Sequence, residues 1–266
     1  MDRKIVKTIK GVAASDGDGV KLTRIIGSPE LDMLDPFLML DSFASDDASS
    51  YIGGFPEHPH RGFETVTYMI AGKMRHKDNA GHEGIIETGG VQWMTAGRGI
   101  LHSEMPEQTE GLLHGFQLWV NLPAKDKMLP PAYQEFGAED VPIEAFEGGT
   151  VRVISGTTEA GTLGAVQNTA TQPLYLDVTL DGVFKQQIPA SHNGFIYVID
   201  GEIAGVPKGH AGILGEGHEV ALHGAGRFLL IAGARLDEPV ARGGPFVMNT
   251  REEILQAFDD YRSGRF

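Results

Sequence analysis

The stretch that decides how this chain is organised runs from residue 58 to residue 104 and reads HPHRGFETVTYMIAGKMRHKDNAGHEGIIETGGVQWMTAGRGILHSE. It begins with His58-Pro59-His60 and ends with His102-Ser103-Glu104, so each end carries two metal-capable side chains two positions apart. Side chains alternate along a β-strand, so each pair shares one face if it lies on a strand. Two such strands side by side would direct three imidazoles and one carboxylate into one interior, a donor set that suits a divalent transition metal.

Glu64 leaves the identity of the carboxylate open. It has the same strand parity as His58 and His60 and could serve in place of Glu104. A bulge or turn at Gly62 would rotate Glu64 to the opposite face, because one extra residue exchanges the two faces of a strand. Strand parity alone does not choose between the two carboxylates.

The composition predicts an all-β protein. Glycine accounts for 36 of 266 residues, above the usual share of roughly 7%. Together with scattered prolines and short apolar runs, this pattern favours many strands joined by tight turns. Residues 123–142 are rich in proline and charge, which predicts an irregular connection between two β-rich halves.

A short internal repeat suggests that the two halves share one architecture. Residues 68–74 (YMIAGKM) resemble residues 197–203 (YVIDGEI). With the halves aligned there, Gln187 and Pro189 fall at the positions of His58 and His60, so the second half would lack the metal pair. Near the end of the chain, the capping box of residues 250–253 (TREE) predicts a helix at about 251–263.

Charge and composition disfavour several classes of partner. The formal net charge of −14 opposes direct binding to nucleic acid or to an anionic membrane. The chain has no run of eighteen apolar residues and no hydrophobic secretion signal, so we expect a cytoplasmic protein without a membrane partner. It has no cysteine, which excludes thiolate metal sites and cysteine nucleophiles. Neither a phosphate loop nor a Gly-x-Ser-x-Gly elbow is present.

Five segments resemble the signatures of the pirin family: HPHRGFETV (58–66), QWMTAGRGILHSEM (92–105), QLWVNLPAKDKM (117–128), PPAYQE (130–135) and GPFVMNT (244–250). The resemblance extends from about residue 20 to the C-terminus. It implies a bicupin, with two tandem jelly-roll-like β-barrels. We therefore expect an N-terminal cupin domain at 1–135 that carries the metal. A C-terminal cupin domain at 136–266 would lack metal ligands and end in the short helix.

The resemblance also implies a ligand set. By similarity to the family motifs, His58, His60, His102 and Glu104 would hold the metal, whereas Glu64 would not. Three imidazoles and one carboxylate accept several ions. We expect one divalent transition metal, with Fe(II) first and Ni, Cu, Mn, Co and Zn as alternatives.

The function implied by the resemblance is a metal-dependent dioxygenase that opens the central ring of flavonols such as quercetin and releases CO. Its substrates would be a flavonol and dioxygen, and Glu104 is the candidate proton acceptor because it is the only carboxylate in the set. Phe55, Arg61 and Met74 are candidates to line the substrate pocket. Ordinary barrel packing explains Phe55 and Met74 equally well, and a salt bridge explains Arg61. The alternative function is a metal- or redox-responsive regulator that acts through a protein partner, and we expect a monomer.

Overall fold

The fold is taken from a computed structural model, which describes residues 2–266; Met1, the first residue of the predicted N-terminal domain, lies outside them. The described residues form β-strands, two short 3-10 turns (Ala48–Ser50 and Ala124–Asp126) and one α-helix. This confirms the predicted all-β class with a C-terminal helix.

The first half of the chain supplies twelve strands. They are β1 (Asp2–Arg3), β2 (Ile5–Lys10), β3 (Val12–Asp16), β4 (Val20–Ile26), β5 (Phe37–Ser45), β6 (Phe55–His60), β7 (Phe63–Ala71), β8 (Lys73–Asp78), β9 (Glu83–Glu87), β10 (Val91–Thr95), β11 (Ile100–Pro106) and β12 (Leu113–Asn121).

The second half supplies ten strands and the helix. They are β13 (Ala132–Phe136), β14 (Ile143–Phe146), β15 (Gly149–Ser155), β16 (Leu174–Gln187), β17 (His192–Ile203), β18 (Val206–Pro207), β19 (His210–Leu214), β20 (Glu219–Ala234), β21 (Ala241–Gly243), β22 (Phe246–Met248) and α1 (Arg251–Arg262).

The chain forms two compact units, whose limits differ from the predicted ranges 1–135 and 136–266. The first barrel comprises Ala13–Arg24, Phe37–Ala138 and Leu236–Phe266, and the second comprises residues 2–12, Ile25–Pro36 and Glu139–Arg235. The N-terminal segment belongs to the second barrel and the C-terminal segment to the first, because of the strands with which each segment is in contact. Strands β1 and β2 pair with β20 and β19 of the second barrel, while α1 packs on β21 and β22 in the first.

The first barrel is built from two principal sheets that meet face to face. One has seven strands in the order β13-β10-β7-β12-β5-β4-β3, and the other has four in the order β6-β11-β8-β9. Apolar side chains fill part of the interior: Val20, Leu22, Phe43, Tyr51, Met69, Met74, Ile86 and Leu113. Buried polar side chains from both sheets occupy another part, and these include the predicted ligands.

The second barrel has an apolar interior. Its nine-stranded sheet surrounds a core that includes Val151, Leu176, Val198, Leu222 and Phe228. Gln187 and Pro189, at the positions predicted to correspond to the metal pair, are exposed. Among residues 2–266, the group of His, Cys, Asp or Glu side chains close enough to hold a metal lies in the first barrel and includes no residue of the second.

The helix begins at the predicted capping box. The Thr250 hydroxyl accepts the backbone N–H of Glu253, and the Glu253 carboxylate accepts the backbone N–H of Thr250, which satisfies two free donors of the first turn. Ile254 and Ala257 are buried against Phe246. No helix within residues 2–266 is both long enough and apolar enough to cross a membrane.

The predicted irregular connection at 123–142 contains a regular element. Residues 132–136 form β13, which pairs antiparallel with β10 and makes one edge of the seven-stranded sheet. Proline at 130 and 131 stands just before this strand, where a missing N–H costs no ladder hydrogen bond.

Candidate metal centre

The two ligand pairs lie on neighbouring strands. Strands β6 and β11 are antiparallel, with His102 directly opposite His58 and Ile100 opposite His60. Directly opposed residues point to the same side of a sheet, so His102 and His58 face the same interior. His60 lies two positions after His58 and therefore shares its face.

The three imidazoles converge. One ring nitrogen from each of His58, His60 and His102 lies within 4.8 Å of the other two. The Nε2 atoms of His58 and His60 are 3.0 Å apart. Two nitrogens bound to one cation at about 2.0–2.1 Å, with an angle between a right angle and the tetrahedral one, stand roughly 2.8–3.4 Å apart. The spacing of this pair therefore fits a shared metal ion.

Burial keeps the two inner rings neutral. His60 and His102 are 3% and 1% exposed, and burial lowers the pKa of both well below the usual 6.5. Neighbouring imidazoles lower these pKa values further, because two cations at this distance repel each other. Neutral imidazole is the form that binds metal ions.

The hydrogen bonding of the rings is incomplete without a cation. Neither ring nitrogen of His102 has a hydrogen-bond partner among the described residues. His58 differs: its Nδ1 donates to the Pro56 carbonyl at 2.8 Å, which leaves the Nε2 lone pair directed at His60. A hydrogen bond of this kind commonly fixes the tautomer of a metal-binding histidine. The residues present therefore fit a bound transition metal.

Glu104 shares the face of His102 on β11 and is 3% exposed. Its carboxylate is turned toward the seven-stranded sheet. Oε1 accepts the Thr67 hydroxyl at 2.8 Å, and Oε2 accepts the Gln117 amide at 3.0 Å. The three histidines form the close group without it. Its role as the fourth ligand stays a prediction.

Glu64, the alternative carboxylate, lies on the other face of β7 from Thr67. Gly62 makes a turn between β6 and β7 with φ of +87°, which is the change of direction that separates Glu64 from the histidines. Its Oε1 accepts the Thr95 hydroxyl at 2.7 Å, and burial raises the pKa of this carboxyl. The predicted rotation at Gly62 therefore accounts for its position.

The three predicted pocket residues lie in different surroundings. Phe55 and Met74 pack in or against the apolar cluster of the first barrel. The Arg61 guanidinium forms an ion pair with Asp260 at 2.7 Å and stacks 4.4 Å from the Phe266 ring. Barrel packing therefore explains Phe55 and Met74, and an ion pair explains Arg61. A role for these residues in a substrate pocket stays a prediction.

Sequence reasoning missed the polar side chains that surround the centre from other strands. Thr67 and Gln117 contact Glu104, and Trp119 packs edge-on against His60 with ring centroids 5.1 Å apart. Thr67 and Gln117 lie directly opposite each other on β7 and β12. Only the pairing register of β7 and β12 brings these two residues together, and the spacing of residues in the sequence does not reveal that register.

Buried His76 and the more exposed Glu135 form a second polar contact nearby. His76 is opposite Glu104 on β8, and its Nε2 lies 2.6 Å from Glu135 Oε2 on β13. The nearby His76 ring lowers the pKa of the Glu135 carboxyl. The interior around the three histidines is therefore polar on more than one side.

Comparisons with known proteins agree with this architecture. The family model Pirin matches residues 19–120, and the model Pirin C-terminal cupin domain matches residues 175–266. A pirin-like protein of Caulobacter vibrioides is 53% identical over 273 residues and covers 99% of both chains. A putative quercetin 2,3-dioxygenase of Pseudomonas aeruginosa is 47% identical, with 98% of this chain and 97% of the relative covered.

A solved structure extends the similarity to three dimensions. The crystal structure of quercetin 2,3-dioxygenase from Acinetobacter baumannii superposes with a TM-score of 0.91 at 34% identity and covers 100% of this chain and 99% of the other. Both barrels are thus accounted for by cupin domains. The chain belongs to the pirin family of the cupin superfamily.

Proposed function

We propose that this protein is a metal-dependent dioxygenase that opens the central ring of flavonols such as quercetin. In that reaction both atoms of dioxygen enter the product, and one ring carbon leaves as CO. The observation that carries the proposal is the convergence of the ring nitrogens of His58, His60 and His102, with His60 and His102 buried and held neutral. The ion we expect first is Fe(II), with Ni, Cu, Mn, Co and Zn as alternatives.

Each residue has a distinct task in this proposal. His58, His60 and His102 would hold the cation, with Glu104 as the fourth ligand. When bound, the cation lowers the pKa of a hydroxyl that coordinates it and holds substrate and dioxygen in one place. The Trp119 and Phe63 rings pack on His60 at 5.1 and 5.0 Å between centroids and restrict its rotation.

The surroundings of Glu104 support a role in holding the proton of the flavonol hydroxyl. The Thr67 hydroxyl lies 2.8 Å from Glu104 Oε1 and 2.7 Å from Gln117 Oε1, yet it has one hydrogen for these two acceptors. If Glu104 Oε1 takes a proton, it donates to Thr67, and Thr67 then donates to Gln117. One additional proton therefore completes the hydrogen bonding of this group.

The comparisons support the same reaction. A relative named putative quercetin 2,3-dioxygenase and a solved structure named quercetin 2,3-dioxygenase, the latter at 34% identity, both match this chain over nearly its whole length. The superposition covers both barrels, but a fold alone does not fix an activity. The proposal therefore depends on the histidine cluster and needs a direct assay.

The test is flavonol turnover by the metal-loaded protein. We expect loss of quercetin absorbance in air, with matching oxygen consumption and CO release. His102→Ala should abolish all three, whereas His223→Ala, an exposed histidine of β20, should retain them. If the loaded protein leaves quercetin unchanged in air, the enzyme proposal fails and the regulator that acts through a protein partner replaces it.

A further inference from the structure

Two side chains of the seven-stranded sheet donate hydrogen bonds to the carboxylate of Glu104, which lies on the four-stranded sheet. Thr67 on β7 and Gln117 on β12 are directly opposed, so they point to the same side. Thr67 Oγ1 donates to Glu104 Oε1 at 2.8 Å, while Gln117 Nε2 lies 3.0 Å from Oε2 and 3.3 Å from Oε1. These bonds join the two sheets of the first barrel across its interior.

The arrangement restricts a side chain that would otherwise be flexible. A glutamate has three rotatable bonds, and ordering such a side chain costs up to about 2 kcal/mol of conformational entropy. Glu104 is 3% exposed and Thr67 2% exposed, so water does not compete well for these bonds. Hydrogen bonds to a carboxylate in such surroundings are stronger than bonds between neutral groups. The orientation of Glu104 is therefore set before any ligand arrives.

We propose that Thr67 and Gln117 are positioning residues that hold Glu104 in the orientation in which it completes the metal site. This inference rests on the proposed function for the identity of Glu104 as the fourth ligand. Oε1 receives the stronger share of the bonds, which leaves Oε2 as the oxygen with more free lone-pair capacity. Partners of metal ligands typically change metal affinity 10–100-fold when they are removed.

A purely structural role predicts something different. Buried polar groups need partners whether or not a metal binds, so loss of Thr67 or Gln117 could reduce the stability of the barrel alone. A positioning role also changes the affinity for the cation and the coordination that the cation adopts. The affinity for the metal and the spectrum of the bound metal therefore distinguish the two roles, whereas a measurement of stability does not.

The experiment uses the metal-free full chain titrated with Co(II) alone, whose visible spectrum reports coordination. Thr67→Val keeps the shape and removes the hydroxyl, Thr67→Ser restores the hydroxyl, and Gln117→Leu removes the amide. We expect Thr67→Val and Gln117→Leu to weaken Co(II) binding about 10–100-fold and to alter its spectrum. Thr67→Ser, which keeps a hydroxyl, should show the Co(II) affinity and the spectrum of the unsubstituted protein. Thr65→Val is the matched control, because Thr65 is equally buried on the same face of β7.

Glu104→Gln, measured alongside, separates failure of this inference from failure of the ligand assignment. If Glu104→Gln weakens Co(II) binding while Thr67→Val and Gln117→Leu do not, the positioning role is overturned and Glu104 stays the fourth ligand. If Glu104→Gln leaves affinity and spectrum unchanged, the ligand assignment itself fails. An equal effect of Thr65→Val would also overturn the inference, because the loss would then be general to buried threonines.

Discussion

Replacing Asp260 by asparagine tests whether the C-terminal helix stabilises the turns beside the metal-binding strands. Arg61 directly follows His60, and its side chain is 4% exposed. Its Nη1 donates to Asp260 Oδ2 at 2.7 Å, and its Nε donates to the Arg98 carbonyl at 2.6 Å. The helix is thereby bonded to the turn after β6, and through Arg61 to the turn before β11. Both turns lead to ligand strands.

The magnitude follows from the burial of this pair. Removing one partner of a buried ion pair costs about 3–5 kcal/mol, because the other charge is left without compensation. Asp260 is 16% exposed and the Phe266 ring still contacts the guanidinium, so the lower end applies. Arg265, which also pairs with Asp260, is 55% exposed and adds less than about 1 kcal/mol. We expect Asp260→Asn to lower the free energy of unfolding of the first barrel by about 3 kcal/mol.

Urea unfolding of the metal-free protein measures this change. The two tryptophans, Trp93 and Trp119, both lie in the first barrel, so tryptophan fluorescence follows that unit. Asp259→Asn is the matched control: its contact with Arg262 is 3.9 Å long, and both side chains are about 70% exposed, so we expect a loss below about 0.5 kcal/mol. Equal losses for the two variants would refute the reasoning.

Two further predictions concern stability. Burial lowers the pKa of Lys127 from 10.5 to about 8, so between these pH values the folded protein binds fewer protons than the unfolded chain and its stability should rise with pH. Relative to Lys127→Met, the gain in the free energy of unfolding should reach about 3 kcal/mol at pH 10.5, measured by urea titration. Parallel pH profiles of the two proteins would contradict this prediction. At Gly62, a Cβ would stand 2.0 Å from the Val247 carbonyl oxygen, whereas at Gly81, with similar positive φ, it would meet nothing within 4 Å. Gly62→Ala should therefore lower the thermal midpoint more than Gly81→Ala, and equal shifts would show that backbone strain alone determines the cost.

The local features of the site followed from the sequence. Strand parity places His58 with His60 and His102 with Glu104, because the period of two is a property of any β-strand. The capping box at Thr250 likewise gave the start of the helix, because capping depends on residues within one turn. These predictions needed no knowledge of distant contacts.

The features that the sequence did not reveal depend on long-range pairing. The exchange of terminal segments between the two barrels arises because β2 pairs with β19 and α1 packs on β22. No local pattern encodes these partners. The proline- and charge-rich composition of residues 123–142 predicts an irregular connection, but pairing with β10 makes residues 132–136 a strand and brings Glu135 beside His76.

The same limit applies to the choice of carboxylate. Parity left Glu64 and Glu104 equivalent, and the positive φ of Gly62 separates them in the folded chain. Arg61 is next to His60 in sequence, but its side chain is directed to Asp260 and Phe266. Proximity along the chain therefore did not indicate which side chains surround the histidines.

The most direct test of the account is an anomalous-difference map from crystals loaded with Fe(II) under anaerobic conditions, with data collected at the iron edge. The account predicts one peak per chain, about 2.0–2.2 Å from a ring nitrogen of each of His58, His60 and His102 and from a carboxylate oxygen of Glu104. A peak elsewhere, or the absence of a peak between these three rings in fully loaded crystals, would contradict it.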